Sequence, residues 1–173
     1  MQKKKNKPER SVVFIAFSGE EHGLLGSEYY ASNPVLPLSN TVVDLNIDMI
    51  GRVDKAHEKD TNFVYIIGDD KLSSDLRPIS ENMNKKHSQL NLDYTFNSDS
   101  DPNRFYYRSD HYNFAKNRIP IIFYFNGVHA DYHKPTDTLD KIILPKVHKI
   151  TKLVFYTALE IANREMRILV DKK

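Results

Sequence analysis

Residues 11–27 read SVVFIAFSGEEHGLLGS, a β-branched and aromatic run that breaks at Ser18-Gly19 into two adjacent glutamates. Ser11 to Phe17 has strand length, and its nearly continuous apolarity is the pattern of a strand covered on both faces, so it is expected to be a central strand. The following residues 22–32 (HGLLGSEYYAS) are expected to be helical up to Asn33-Pro34, since the residue before a proline is pushed out of helical backbone. Further out, Thr41 to Ile50 (TVVDLNIDMI), Asn62 to Ile67 (NFVYII) and Ile121 to Phe125 (IIFYF) read as strands. Residues 73–88 form a polar amphipathic helix candidate with Pro78 near its first turns, and Tyr94 to Arg108 is a polar and aromatic loop. Pro145 to Met166 carries apolar residues at helical spacing and should be the long closing helix. Strands alternating with helices imply an α/β sheet covered on both sides. In such sheets ligands sit at the carboxyl ends of the strands.

Composition narrows the classes available. The chain has 173 residues, which suits one domain burying roughly 70% of its unfolded surface. Apolar residues make up 40% and charged residues 28%, with 10 Tyr and 9 Phe, which excludes disordered, collagen-like and coiled-coil chains. No fixed-period repeat appears, which sets solenoids and propellers aside. The longest apolar stretches, Ser11 to Phe17 and Ile119 to Phe125, fall far short of the ~20 residues of a membrane span. Without cysteine there is no disulfide, thiolate cluster or thiol nucleophile, so a transition metal would be held by His, Asp and Glu. A net charge of +2 from 25 basic and 23 acidic residues implies neither nucleic acid nor an anionic membrane as partner. The basic run Met1 to Arg10 (MQKKKNKPER) reads as a solvated linker or helix end, set apart from a domain over 11–173. It is a poor export signal, because Pro8, Glu9 and Arg10 interrupt it and Glu20 and Glu21 close a very short apolar segment. Compartment and oligomeric state are left open.

Three strand ends carry candidate chemistry. Glu20 and Glu21 follow the first strand, although Ser18 with Glu21 three residues on also fits a capping box, and acids in a first helical turn suit the helix dipole. Asp48 ends the TVVDLNIDMI strand inside an apolar run, where a carboxylate needs a hydrogen-bond partner or a cation. After IIFYF comes Asn126 to Thr138 (NGVHADYHKPTDT), a loop holding His129 and His133 at i, i+4, though Gly127 and Pro135 argue against the helix that would align them and no HExxH is present. Glu, Asp and His presented together from separate strand ends would supply oxygen and nitrogen ligands of the kind zinc accepts, with a spare carboxylate for general-base work. Other signals have plainer readings. Ser109-Asp110-His111 spells a hydrolase triad, but no G-x-S-x-G elbow exists. Gly19, Gly23 and Gly26 fit no nucleotide motif, Phe105-Tyr106-Tyr107 reads as a satellite hydrophobic cluster, and His22, His57, His87 and His148 read as surface or capping histidines.

The strings VVFIAFSGEEHGLLGS (12–27), LNIDMIGR (45–52) and SDHYNFAKNRIPIIFYFNGVHADYHKPTDT (109–138), in that order, resemble the zinc aminopeptidase family M28, which also contains glutaminyl cyclases and a carboxypeptidase. The resemblance runs from about Ser11 into the last helix. It implies a three-layer α/β sandwich of the zinc-exopeptidase, phosphorylase/hydrolase-like type, with a mixed, mostly parallel sheet. It further implies Glu20 as general base, Glu21 and His133 as ligands of one zinc, Asp48 as a ligand of the other, Tyr132 as oxyanion stabiliser, and Asp110 as an acidic residue close to the metals. One departure stands out: the family takes a further His and a bridging Asp from a segment upstream of the two glutamates, and only ten polar residues precede that strand here. His129-Ala130-Asp131 spells H-x-D but lies after the glutamates and is not expected to substitute. The chain is therefore expected to be the C-terminal part of a catalytic domain, with three of five ligands, binding zinc weakly, at one site, or not at all. The implied function is zinc-dependent hydrolysis at the amino end of peptides, impaired in this piece alone. The rivals are a noncatalytic module, as in transferrin-receptor-like relatives, and a glutaminyl cyclase-type acyltransferase.

Overall fold

The computed structural model describes residues 7–172. Ile121–Phe125 forms strand β4, and the other strands gather around it: its five side chains are all buried. Strand β1 (Asp44–Ile47) pairs with it in parallel, Asp44 opposite Ile121 and Ile47 opposite Tyr124. On the other side β2 (Phe63–Ile67) runs antiparallel, Tyr65 opposite Phe125, and β3 (Asn91–Asp93) lies parallel to β2. The sheet order is β1-β4-β2-β3, mixed, with two of its three ladders parallel.

The unbroken apolarity of β2 and β4 is explained by cover on both faces. Val64, Ile66, Ile122 and Tyr124 pack with Leu76, Ile79 and Met83 of helix α2 (Leu76–Met83) and with Ile150, Leu153 and Ile161 of helix α4 (Leu144–Asn163). The alternate residues Phe63, Tyr65, Ile67, Ile121, Phe123 and Phe125 pack with Phe105 and with Phe114 and Ala115 of helix α3 (His111–Ala115). Helix α1 (Leu25–Ser32) joins that second layer through Tyr30, whose ring centroid lies 5.9 Å from that of Phe114. The three-layer α/β sandwich with a mixed, mostly parallel sheet is thus the observed arrangement. No helix among the described residues is long and apolar enough to cross a membrane.

Ser11 to Phe17 is not the expected central strand. Among the described residues it has no ladder partner, and none of their strands lies along the outer edge of β1. Val12, Val13 and Ile15 are exposed and Phe14 is 93% exposed; only Phe17 turns inward, onto Tyr30 and Phe114. Apolar patterning reports what a segment can bury, whereas a strand also needs a hydrogen-bonded neighbour. The strand expected over Thr41 to Ile50 contracts to Asp44–Ile47, because after one last bond from Asp48 N–H to the Tyr124 carbonyl (3.2 Å) Met49 adopts a left-handed φ of 55°. The helix expected over 73–88 is α2 followed by one π turn, Asn84–Ser88, and Pro78 sits in the first helical turn, where a missing N–H costs nothing. The Asn84 amide then closes the corner into β3, accepting from Leu90 N–H (2.9 Å) and donating to the Leu90 carbonyl (2.8 Å).

Two polar side chains fix the elements at their ends. Lys146, buried on α4, donates to the carbonyls of Thr61 (3.2 Å) and Phe63 (2.5 Å) at the start of β2, and burial brings its amine down to about 8. Arg10 donates through its backbone to the Ala162 carbonyl and through its guanidinium to those of Ile161, Arg164 and Glu165, the favourable place for a cation at a helix C-terminus. Residues 7–10 of the basic run are not helical, and residues 1–6 lie outside the described residues. His57 is no surface histidine: it stacks on Phe63 with 3.5 Å between ring centroids, between Asp54 (3.0 Å) and Asp93 (3.3 Å).

Amide hydrogen exchange tests the edge. The amides of β2 and β4 are expected to exchange last, and those of residues 12–17 within the dead time of the measurement. Protection of residues 12–17 comparable to β4 would show that they are paired.

Candidate metal-binding and catalytic cleft

Three segments meet at one end of the sheet. The glutamates stand in a single 3-10 turn, Glu20–His22, ahead of α1. The capping box is not formed: no side chain caps either the turn or α1. The turn is instead held by close packing, since a Cβ on Gly26 would lie 2.5 Å from the Ser18 carbonyl oxygen. The acids of this turn are therefore free of the structural duty that the capping reading assigned them.

Asp48 is aimed by a chain of buried hydrogen bonds. Ser109 Oγ donates to Asp48 Oδ2 (2.9 Å), and Asn46 Nδ2 donates to Ser109 Oγ (3.0 Å) and towards His111 Nδ1 (3.4 Å). His111 Nε2 donates to the Tyr106 carbonyl (2.8 Å), which sets the tautomer, and burial lowers the imidazole to about 3, so it is neutral. Of the Ser109-Asp110-His111 spelling, Ser109 and His111 therefore serve to position Asp48. Sequence reasoning missed it, and the signal was Asn46, a polar residue inside an apolar strand.

The third segment follows β4. Gly127 (φ 80°) passes so close to Asp54 that a Cβ would lie 2.5 Å from its Oδ2, and Asn126 donates to the Ile50 carbonyl (2.8 Å). Arg52 then clamps the loop, donating to Asp131 Oδ2 (2.6 Å) and Asp137 Oδ1 (2.5 Å). Asp131 also accepts from Lys141 (2.9 Å) and Thr136 (2.7 Å), and these partners hold its carboxyl well below the usual range. The clamp presents Tyr132 and His133, whose rings stack 3.8 Å apart, and His133 Nε2 meets Glu21 at 3.1 Å from Oε1 and 3.0 Å from Oε2.

Glu20, Glu21, Asp48, Tyr132 and His133 thus line one cleft of about 340 Å³, together with apolar side chains such as Met49, Phe123 and Phe125. Glu20 is pushed up to about 7, first by burial and then by the charges of Asp48, Glu21 and Asp110, with His133 opposing. Asp48 is raised by burial, partly offset by the Ser109 hydrogen bond. Asp110 does not line the cleft; it lies behind it, itself raised by burial, and raises both acids. Asp44, on the same strand as Asp48, is pushed up to about 7 by burial and then by Asp110, and its Oδ2 has no hydrogen-bond partner among the described residues.

A carboxylate touching an imidazole, with a second carboxylate in the same cleft, is a donor set that fits zinc in kind. It is incomplete in number: among the described residues no group of three or more His, Asp or Glu side chains is arranged to hold a metal ion. Of His129-Ala130-Asp131, His129 lines the same cleft and faces Asp137 (3.5 Å), while Asp131 is bound to Arg52.

A layered α/β domain that gathers acids and a histidine from separate strand ends around one cleft offers the donor types that a metal-dependent hydrolase uses. The chain is a member of peptidase family M28, whose family model matches residues 1–158. Its curated relatives include a probable zinc metalloprotease of Pyrenophora teres f. teres, 34% identical over 86 residues that make up 50% of this chain and 17% of the relative. Another, from Phaeosphaeria nodorum, is 36% identical over 88 residues, 51% of this chain and 17% of that protein. Among solved structures, the LapA aminopeptidase of Legionella pneumophila superposes with a TM-score of 0.72 at 21% identity, covering 94% of this chain and 42% of that one. A zinc aminopeptidase of Bacillus subtilis gives 0.65 at 23% identity, covering 91% and 38%. The chain thus spans less than half the length of the proteins it matches.

The acids set a pH dependence. Asp44 is raised in the fold relative to the unfolded chain, so its contribution is fully present below about pH 4 and is lost as the pH rises through about 7. Asp44→Asn is expected to stabilise the protein at pH 8 by on the order of 4 kcal/mol and to change little at pH 4. Urea unfolding at the two pH values checks this, and an equal effect at both refutes it.

Proposed function

We propose that this chain supplies the general base and part of the metal-binding set of a zinc-dependent aminopeptidase, which hydrolyses the peptide bond at the amino end of a peptide. The observation that carries the reading is the contact between Glu21 and His133 with Glu20 beside it in the same cleft. Glu21 and His133 would hold one zinc ion and Asp48 would serve a second. When bound, zinc supplies Lewis acidity, acidifying water and polarising the scissile carbonyl. Glu20 makes no bond to His133, and its carboxyl near 7 matches a group that must take a proton from water and return it to the departing amine. Tyr132, a phenol protonated at neutral pH and raised further by burial, would donate a hydrogen bond to the developing oxyanion. Asp110 acts through Glu20 and Asp48, raising both.

One observation favours a second reading, a noncatalytic module on the same fold: no three donors converge among the described residues. Glu20 separates the two, because a binding module has no use for a proton-transferring acid in its cleft. In zinc titration calorimetry of the 173-residue chain, His133→Ala and Glu21→Ala are expected to abolish binding while Glu20→Gln retains it. In a longer polypeptide that contains this chain and turns over aminoacyl p-nitroanilides, Glu20→Gln is expected to lower kcat by about 10²–10⁴-fold with zinc content unchanged. Unchanged turnover in that variant would leave the noncatalytic reading standing.

A further inference from the structure

The cleft is acidic on the side of the two glutamates and Asp48, and two arginines also line it. They are in different states. Arg52 has both terminal nitrogens on carboxylates, Asp131 and Asp137, and serves the loop. The guanidinium of Arg108 has no carboxylate or carbonyl partner among the described residues, and lies over the Phe105 ring with 4.9 Å from Cζ to the centroid.

That platform is rigid. Phe105 is buried, its N–H bonds Asp101 Oδ2 (3.0 Å), and the Arg108 N–H returns to the Phe105 carbonyl (3.0 Å). The next residue is Ser109, the side chain that holds Asp48. The backbone of Arg108 is therefore fixed one residue from the group that aims a candidate ligand. A guanidinium resting on an aromatic face keeps its N–H edge available for in-plane, two-pronged bonds, the geometry that matches a carboxylate and that an ammonium does not reproduce. Its charge also reaches Tyr132 across the cleft, where it opposes the rise that burial imposes on the phenol.

We propose that Arg108 forms a carboxylate-recognition subsite of this cleft, selecting peptides that carry a negative charge beyond the bond to be cut. This rests on the peptidase reading only for where the scissile bond lies. The carboxylate has two sources, an Asp or Glu side chain or the free carboxyl terminus of a short peptide. Both would pair with Arg108 while the acids at the other side of the cleft face the substrate's amino end.

The test reads binding and needs neither metal nor turnover, so its failure is distinct from failure of the peptidase reading, which Glu20→Gln examines. The 173-residue protein in EDTA is titrated with Leu-Ala-amide, Leu-Glu-amide and uncapped Leu-Ala, following affinity and the Arg108 Nε–Hε resonance. At least one carboxylate-bearing peptide is expected to bind about tenfold tighter than Leu-Ala-amide and to shift that resonance, a difference of ~1.4 kcal/mol. Preference for Leu-Glu-amide identifies the side chain as the source, and preference for uncapped Leu-Ala the terminus. The preference is expected to vanish in Arg108→Gln, to be only partly restored in Arg108→Lys, and to shrink at about 1 M salt, where screening is strong. Arg108 is exposed, so the variants are expected to keep the native circular dichroism spectrum. Equal affinity for all three peptides, or a preference that survives Arg108→Gln, overturns the proposal.

Discussion

Strand β4 is buried on both faces and hydrogen-bonded along both edges, and the geometry of the cleft follows from those two facts. Because β1 runs parallel to it, the carboxyl ends of both strands open at one edge, which is how Asp48 and the loop after Phe125 come to face each other. Because β2 runs antiparallel, its start lies at that same edge, and Asp54, ahead of it, packs under Gly127 and pairs with His57 rather than lining the cleft. Phe123 and Phe125 both fill the second core layer and line the cleft, so the side chains that stabilise the sheet also shape the cavity. Burying each such ring contributes about 1.5–3 kcal/mol, which is why a cleft of this polarity can rest on so short a sheet.

Carboxylates in this protein divide by what compensates their burial. Asp131 has an arginine, a lysine and a threonine, and keeps its charge deep into the acid range. Asp69, fully buried beyond β2, is met by the Arg77 guanidinium at 2.8 Å and is still raised, because desolvation outweighs its partner. Glu20, Asp48 and Asp44 form no ion pair among the described residues and are raised by burial and by neighbouring acids, Asp110 being common to all three. Acids of the first kind are structural. Those of the last kind weaken the fold at neutral pH, and a proton or a cation relieves them. That asymmetry is a physical reason to place the chemistry at Glu20 and Asp48 and the loop's integrity at Asp131.

How much of this the sequence reveals depends on whether the deciding interaction is local. β4 is read with its true ends, because five apolar residues between Pro120 and Asn126 have no other use, and α4 is read within a few residues from its periodicity. Ser11 to Phe17 carries the same apolar signal without being a strand, since pairing is a property of neighbours and not of the segment. β3 and α3 are too short to show a period, and α3 owes its place to Phe114 in the core. The candidate site residues are legible as residue types at strand ends, and the structure brings Glu20, Glu21, Asp48, Tyr132 and His133 to one cleft. The supports are not legible: the Ser109, Asn46 and His111 chain, the Arg52 clamp and the His57 pairing each join residues from separate segments of the chain or through side-chain geometry that no spacing encodes.

The loop that presents His133 is where those supports matter most. His133 itself has a left-handed φ of 57°, a conformation that costs a non-glycine residue about 1–2 kcal/mol and persists only where the surroundings over-determine it. The surroundings here are the Arg52 bridge to Asp131 and Asp137, the Lys141 and Thr136 bonds to Asp131, and the Tyr132 ring on the imidazole. The imidazole is therefore held against Glu21 by the protein's own ion pairs and ring stacking, a preorganisation that leaves both side chains less conformational freedom to lose when a partner binds.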